Sequence, residues 1–441
     1  MAYTNGKESY NTGKVESSST YHKYSGTLVS RDRITWKVRL WDETGVCGPW
    51  SEEAHFEMGF LQESDWKAKW INPEPGNMKE DRQPASYLKK EFVAEKSENA
   101  RLYITAHGVY DAYINGIRVG EFVLAPGTSQ YNRRLQYQVY DVSNLLKRGL
   151  NEIVISVGDG WWRGDTGYGG ERNCFGTDLA VLCQLEIEQE AVLISDDSWY
   201  ASQNGAIGRN DLMQGEQYDA RKEKIQDWHP VTEENFGYET LVCSNSFDVV
   251  ERERFTGKWV KTSKKESVID FGQNIAGYVE FGFYAHEGQG ITICHGECLD
   301  QNGNFTRENF QAPNHRIEQR IDYICKEGWN TYKPHKAIFG FRYIQIITDI
   351  EVTEKDFVAI AVYSDMRQTG KFECGHSGIN RLFSNALWSM KGNFLEIPTD
   401  CPTRERTGFT GDAQVFVNTG MYLMDCYPVY RKFLSELRAV E

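Results

Sequence analysis

The feature that most constrains this chain is a change of hydrophobic period near residue 370. Before it, apolar and polar residues alternate over short stretches, the two-residue period of half-buried strands. After it, Ile379, Leu382, Phe383, Ala386, Leu387 and Met390 recur at three- and four-residue intervals, which places them on one helix face. A strand layer and a helix layer need separate packing partners. The sequence therefore predicts a mostly β, multidomain chain that ends in helices.

Four segments follow. Residues 1–62 alternate around a turn at Glu43-Thr44-Gly45 and hold about half the strands of a small β-sandwich, so they are read as a partial module. Residues 63–242 read as a β-sandwich. In it Asn115-Gly116 marks a tight hairpin, because both residues tolerate positive φ, and Ile153, Ile155 and Val157 alternate inward. Residues 243–369 read as a second β-sandwich, jelly-roll-like, with strands such as SVIDFGQNIAGYVEFGFY and GFRYIQIITDI. Residues 370–441 open a helical domain with room for about three or four helices. Ser377 is expected to cap the first helix. Asp412 is expected to cap a second that runs through Phe416 and Leu423, and Pro428 suits the first turn of a third. Forty Gly beside 12 Trp, 24 Tyr and 22 Phe agree with many strands and turns.

The net charge of −14 disfavours nucleic acid and anionic membranes as partners, since both need a positive surface. No run approaches the ~18 apolar residues of a membrane span. The polar start, MAYTNGKESYNTGK, shows no signal peptide, so a cytoplasmic location is expected. Ten cysteines lie scattered without a disulfide framework. The Cys294-His-Gly-Glu-Cys298 run lacks the second half of a zinc ribbon and reads as strand. Asp300, Asn302 and Asn304 mimic a calcium loop, but Phe305 and Gln311 stand where such a loop needs Gly and Glu.

The densest run of functional residue types joins the first two helices. Between Asn393 and Gln414 lie Asp400, Glu405 and Asp412, the guanidinium groups of Arg404 and Arg406, and Pro402, Gly408 and Gly411. Apolar Ile397, Cys401 and Phe409 suggest partial burial, where carboxylates need partners or a raised pKa.

This run resembles the signature of bacterial α-L-rhamnosidases, glycoside hydrolase family 78. That pattern reads Asp-Cys-Pro-Gln/Thr-Arg, optionally one more Asp, then Glu-Arg-x-Gly-Trp-x-Gly-Asp. It stands here as Asp400-Cys401-Pro402-Thr403-Arg404-Glu405-Arg406-Thr407-Gly408-Phe409-Thr410-Gly411-Asp412. WKVRLWDETG…GPWSEEAHFEMG is similar to the family's fibronectin type III-like module. YDAYINGIRVGEFVLAPGTSQYNRRLQYQVYDVSNLL and VGDGWWRG resemble its N-terminal β-sandwich, and DFGQNIAGYVEF and FGFRYIQI its second β-domain. The resemblance implies an inverting hydrolase of terminal α-L-rhamnosides whose helices begin an (α/α)6 barrel. It gives Glu405 the role of general acid, and Asp400, Arg404, Phe409 and Asp412 substrate contacts. Phe409 replaces the family's Trp and loses its N–H donor. The general base is expected beyond Glu441, and the isolated chain is expected to turn over little or no rhamnoside. Rhamnose-containing glycosides or polysaccharides are the implied partners. No cofactor is required, with calcium in the N-terminal β-sandwich left as an option. The residues alone keep open a non-catalytic carbohydrate-binding protein or another (α/α)6 glycosidase.

A secondary sugar site is considered at Asp159, Trp161 and Trp162, where an aromatic face could stack on a sugar. The alternation of a strand would instead turn one Trp into the core. Gln273 and Asn274 are weaker candidates, with a turn role favoured for Asn274.

Overall fold

The computed structural model describes residues 1–74 and 83–441. It separates into two compact units. One is Met1–Lys67 with Gln189–Ala191, and the other is Ala68–Glu188 with Val192–Glu441.

The first unit carries a four-stranded antiparallel sheet in the order Lys7–Tyr10, Ala2–Thr4, Arg33–Trp36, Ala54–Glu57. The turn expected at Glu43–Gly45 forms. The Asp42 carboxylate accepts the Thr44 and Val46 N–H groups at 2.9 Å each, and Gly45 supplies φ +84°. Four strands are about half of a full sandwich, as the alternation predicts.

The second unit contains the rest. One sheet of its N-terminal sandwich runs Thr232–Glu234, Trp70–Asn72, Ala180–Ile187, Ala100–His107, Leu135–Asp141, Leu241–Cys243. The other runs His229–Pro230, Tyr200–Ser202, Ser86–Ala94, Gly149–Gly158, Val109–Ile114, Ile117–Arg118. Asn115 and Gly116 turn the last hairpin with φ of +52° and +80°, and Ile153, Ile155 and Val157 are fully buried. A ten-stranded sheet built around the long strand Ser267–Ala285 forms the second β-domain. It also takes Ile207–Asp211 and Gly215–Asp219, the latter paired in parallel with Arg320–Ile324. The boundary expected at 242/243 is thus crossed, because strand pairing is decided by edge complementarity rather than by chain order.

Four α-helices are described: α1 (Gly160–Arg163), α2 (Ser377–Gly392), α3 (Thr410–Leu423) and α4 (Tyr427–Arg438). Both expected caps are corrected. His376, not Ser377, caps α2, its Nδ1 accepting the Ile379 N–H at 3.3 Å. Phe409 precedes α3, and Asp412 lies within its first turn, where a carboxylate still meets the positive end of the helix dipole. Only the last turns of α2 are buried, through Leu387 and Met390, where the helix lies on the ten-stranded sheet; Ile379 and Leu382 remain exposed. Lys391 pairs with Glu253 and lies 4.6 Å over the Trp388 ring. Helix α4 docks on the N-terminal sandwich. Its fully buried Lys432 donates to the Thr128 carbonyl, and Glu436 accepts the Gln130 N–H at 2.8 Å. Among the described residues no helix is long and apolar enough to cross a membrane.

Candidate active site

The loop between α2 and α3 is held by three parts of the second unit. Glu396, in the left-handed region at φ +63°, accepts the Thr128 N–H at 2.8 Å and the Gln136 amide at 2.9 Å. Burial pushes its carboxyl up to about 7. Gly340 of the second β-domain passes so close that a Cβ there would lie 2.5 Å from Thr403 and 2.8 Å from Pro402. Arg406 supplies the third anchor. Its guanidinium donates to the carbonyls of Leu212 and Ile338, to Gln319 Oε1 at 2.9 Å and to its own loop at Thr403 O. Burial without a paired carboxylate lowers it to about 10, so it remains a cation at neutral pH.

So anchored, the loop folds on itself. Asp400 and Thr407 exchange contacts, N–H to carbonyl at 3.1 Å and Thr407 N–H to Asp400 Oδ1 at 3.1 Å. Cys401 is the hub. Its Sγ accepts the N–H groups of Arg404 and Glu405 at 3.4 and 3.2 Å, and its thiol donates to Glu405 Oε2 at 3.1 Å. On the other side Arg404 contacts Glu405 Oε1 at 2.8 Å. Asp400, Cys401 and Glu405 thereby place their polar atoms within 4.8 Å of one another.

The electrostatics divide this pair of carboxyls. Burial and the neighbouring Glu405 raise Asp400. Burial also acts to raise Glu405, but contacts from Arg404, Cys401 and Asp400 outweigh it and leave Glu405 lowered. Of the two carboxyls, Asp400 therefore has the higher proton affinity and Glu405 the lower. Burial pushes the Cys401 thiol up to about 11, so it stays a donor at neutral pH. Glu405 thus receives a thiol on one oxygen and a guanidinium on the other, beside a carboxyl of higher proton affinity.

The structure brings Asp400, Arg404 and Glu405 together. Phe409 follows on the same loop with 48% of its surface exposed, and Asp412 is exposed on the first turn of α3. It does not present the secondary sugar site. Asp159 is 1% exposed and paired with Arg163 at 2.6 Å. Trp162 is 5% exposed and stacks on His107, centroids 3.8 Å apart. Only Trp161 keeps part of its surface, because helix α1 rather than a strand carries these residues and turns its neighbour inward. Asn274 donates to Glu297 at 3.0 Å and Gln273 to the Asn274 carbonyl, within an irregular stretch of the Ser267–Ala285 strand rather than in a turn. Cys294 is buried, Cys298 half-buried, and Asp300 organises its turn by accepting the N–H groups of Asn302 and Asn304 at 2.8 Å each. Sequence reasoning left out the working parts played by Cys401 and Arg406. The Arg406 side chain lies next to Glu405 in the motif yet points away from it, a fact visible only from its partners.

The chain matches four family profiles in succession. They are a Rha78A-like N-terminal immunoglobulin domain at residues 2–62, an alpha-L-rhamnosidase N-terminal domain at 95–255, a bacterial alpha-L-rhamnosidase concanavalin-like domain at 260–363, and a bacterial alpha-L-rhamnosidase 6 hairpin glycosidase domain at 367–441. The first is an immunoglobulin module where a fibronectin type III-like one is expected; both are small β-sandwiches. An alpha-L-rhamnosidase of Formosa agariphila is 34% identical over 98% of this chain and 50% of its own length. The crystal structure of the Aspergillus terreus enzyme of that name is 34% identical with a TM-score of 0.86, over 93% of this chain and 50% of its own. That of the Dictyoglumus thermophilum enzyme is 30% identical with a TM-score of 0.87, over 99% and 53%. The chain spans about half the length of these relatives. With the signature loop folded between the domains that those profiles describe, the chain belongs to the bacterial α-L-rhamnosidases, glycoside hydrolase family 78.

Proposed function

We propose that the chain works as part of an enzyme that removes terminal α-L-rhamnose from rhamnose-containing glycosides or polysaccharides with inversion. The Asp400–Cys401–Glu405 cluster carries this reading, because it sets two carboxyls and a thiol donor within 4.8 Å of one another, with Arg404 on Glu405. Sugar hydroxyls that donate to Asp400 favour its ionised form, and that negative charge raises the proton affinity of Glu405. Glu405 then protonates the leaving oxygen, and Arg404, 2.8 Å away, stabilises the carboxylate left behind. Phe409 offers an exposed apolar face for the sugar ring and methyl group, and Asp412 a further hydroxyl acceptor. An inverting pair spans about 6.5–9.5 Å around the attacking water. Asp400, within 4.8 Å of Glu405, is too close to be that base. The base is therefore a further carboxylate, which the family resemblance places on a later helix of the barrel.

The test is Glu405→Gln in the protein at its relatives' full length, assayed with nitrophenyl α-L-rhamnoside. Turnover should fall at least a thousand-fold while rhamnose binding persists. Unchanged turnover, or binding without turnover in the parent protein, would refute the hydrolytic role. The 441-residue chain by itself is expected to release little or no nitrophenol.

A further inference from the structure

We infer that Tyr168, carried by the N-terminal β-sandwich, walls the leaving-group side of the active site and selects the aglycone. The inference rests on the hydrolytic reading above and adds a residue from outside the signature. Tyr168 sits at the tip of the loop that follows α1. Its ring centroid lies 5.2 Å from the Arg404 guanidinium carbon, and 49% of its surface is exposed. Arg404 in turn contacts Glu405 Oε1, whereas Cys401, beside Asp400, contacts Oε2. Asp400, Glu405, Arg404 and Tyr168 therefore form a chain of successive contacts, with Arg404 and Cys401 on different oxygens of Glu405. If Asp400 binds the sugar, the group beyond Glu405, on the Tyr168 side, is the one that leaves.

The tip is rigidly mounted. Asp159, Asp165 and Asp211, all buried, converge on Arg172 at 3.4, 2.8 and 3.2 Å. Arg163 joins Asp159 to Glu74 through two 2.9 Å bonds to the latter. From the second β-domain, His315 Nε2 contacts Asp165 at 3.0 Å and the Gln214 amide donates to it at 2.9 Å. Thr166 and Glu171 close the tip with reciprocal backbone bonds of 2.9 Å. At Gly170, φ +68°, a Cβ would lie 2.6 Å from the His315 ring, so the tip is pressed against that domain. Burying this many charges costs free energy even when they are paired. What the network holds in place is an exposed aromatic ring against the Arg404 guanidinium that pairs with the proposed acid, Glu405. The same network accounts for the burial of Asp159.

The experiment compares Tyr168→Ala and Tyr168→Phe in the full-length protein, with nitrophenyl and methyl α-L-rhamnosides as substrates and free rhamnose as competitor. Loss of one aromatic contact corresponds to about three- to ten-fold in binding. Tyr168→Ala should raise KM for the nitrophenyl substrate by that factor and leave kcat/KM for the methyl rhamnoside and competition by rhamnose within two-fold. Tyr168→Phe should restore the parent KM. Equal losses on both substrates, or no change in either, would overturn the inference. A parent protein inactive on every rhamnoside would instead overturn the hydrolytic reading. The inference then stands or falls on saturation transfer from the 441-residue chain to nitrophenyl rhamnoside. The nitrophenyl protons must receive transfer from the parent chain and lose it selectively in Tyr168→Ala; any other pattern refutes it.

Discussion

Replacing Arg406 by Ala should release the loop between α2 and α3, the candidate active-site loop, without unfolding the β-domains. The carbonyls of Leu212, Ile338 and Thr403 lose this donor, while Gln319 Oε1 keeps the Gly340 N–H at 3.0 Å; all lie on residues no more than 4% exposed. A buried acceptor left unpaired costs about 1–3 kcal/mol. Two effects pull the total toward the low end of the sum. Water can enter the vacated space, and the variant no longer buries an unpaired guanidinium, whose desolvation already lowers its pKa to about 10. We therefore expect a net cost of about 3 kcal/mol for loop docking, or roughly a hundred-fold loss of amide-exchange protection. The measurement is hydrogen exchange read by mass spectrometry over residues 399–408, with the strands Phe339–Thr348 and Ala180–Ile187 as internal references. Arg406→Lys should recover part of the protection, since one ammonium reaches fewer of the acceptors. If exchange in the loop changes by less than three-fold in Arg406→Ala, the loop is not anchored by this side chain and the reasoning fails.

Three further outcomes are expected. The Cys401 thiol, held up to about 11 by burial, should react with iodoacetamide at pH 7.5 far more slowly than exposed Cys47 and Cys174, and Glu405→Gln should change its rate; equal labelling by peptide mass spectrometry would contradict the hub. Burial also pushes Glu216 up to about 7, as it does Glu396. A carboxyl raised on folding gives stability that is fully present below its unfolded pKa of ~4.3 and is lost as pH rises through the folded value. Denaturant unfolding should show the parent weakening between pH 5 and 8 and the Glu216→Gln, Glu396→Gln double variant weakening less; parallel pH profiles would refute this. Trp162→Ala should cost about 3–5 kcal/mol of stability, because its ring is packed on His107 and 6.4 Å from the Phe175 ring. An unchanged unfolding midpoint with lost sugar binding would instead restore Trp162 as a ligand-stacking residue.

Local chemistry was legible in the residues themselves. The change of period separates strands from helices, Asn115-Gly116 forms the hairpin its positive φ angles require, and Ile153, Ile155 and Val157 turn inward as alternation demands. The resemblance placed the carboxyls of the active loop, and Asp400 and Glu405 do meet. What misled was any inference that needed a partner. Asp159 and Trp162 were open to two readings, sugar ligand or core, and their partners decide for the core: Arg163 and Arg172 hold the one and His107 the other. Ser377 and Asp412 read as caps, but their neighbours set the helix starts.

By itself, then, the sequence determined the kinds of element, their order and the composition of the active loop, because period, turn preference and motif are properties of residues near one another in the chain. Tertiary structure alone decided that Asp400 is raised while Glu405 is lowered, why Arg406 faces away from Glu405, and that Tyr168 reaches Arg404. Each of those depends on contacts or burial supplied by segments distant along the chain. Periodicity says that a side chain is buried, but only the assembled fold says against what.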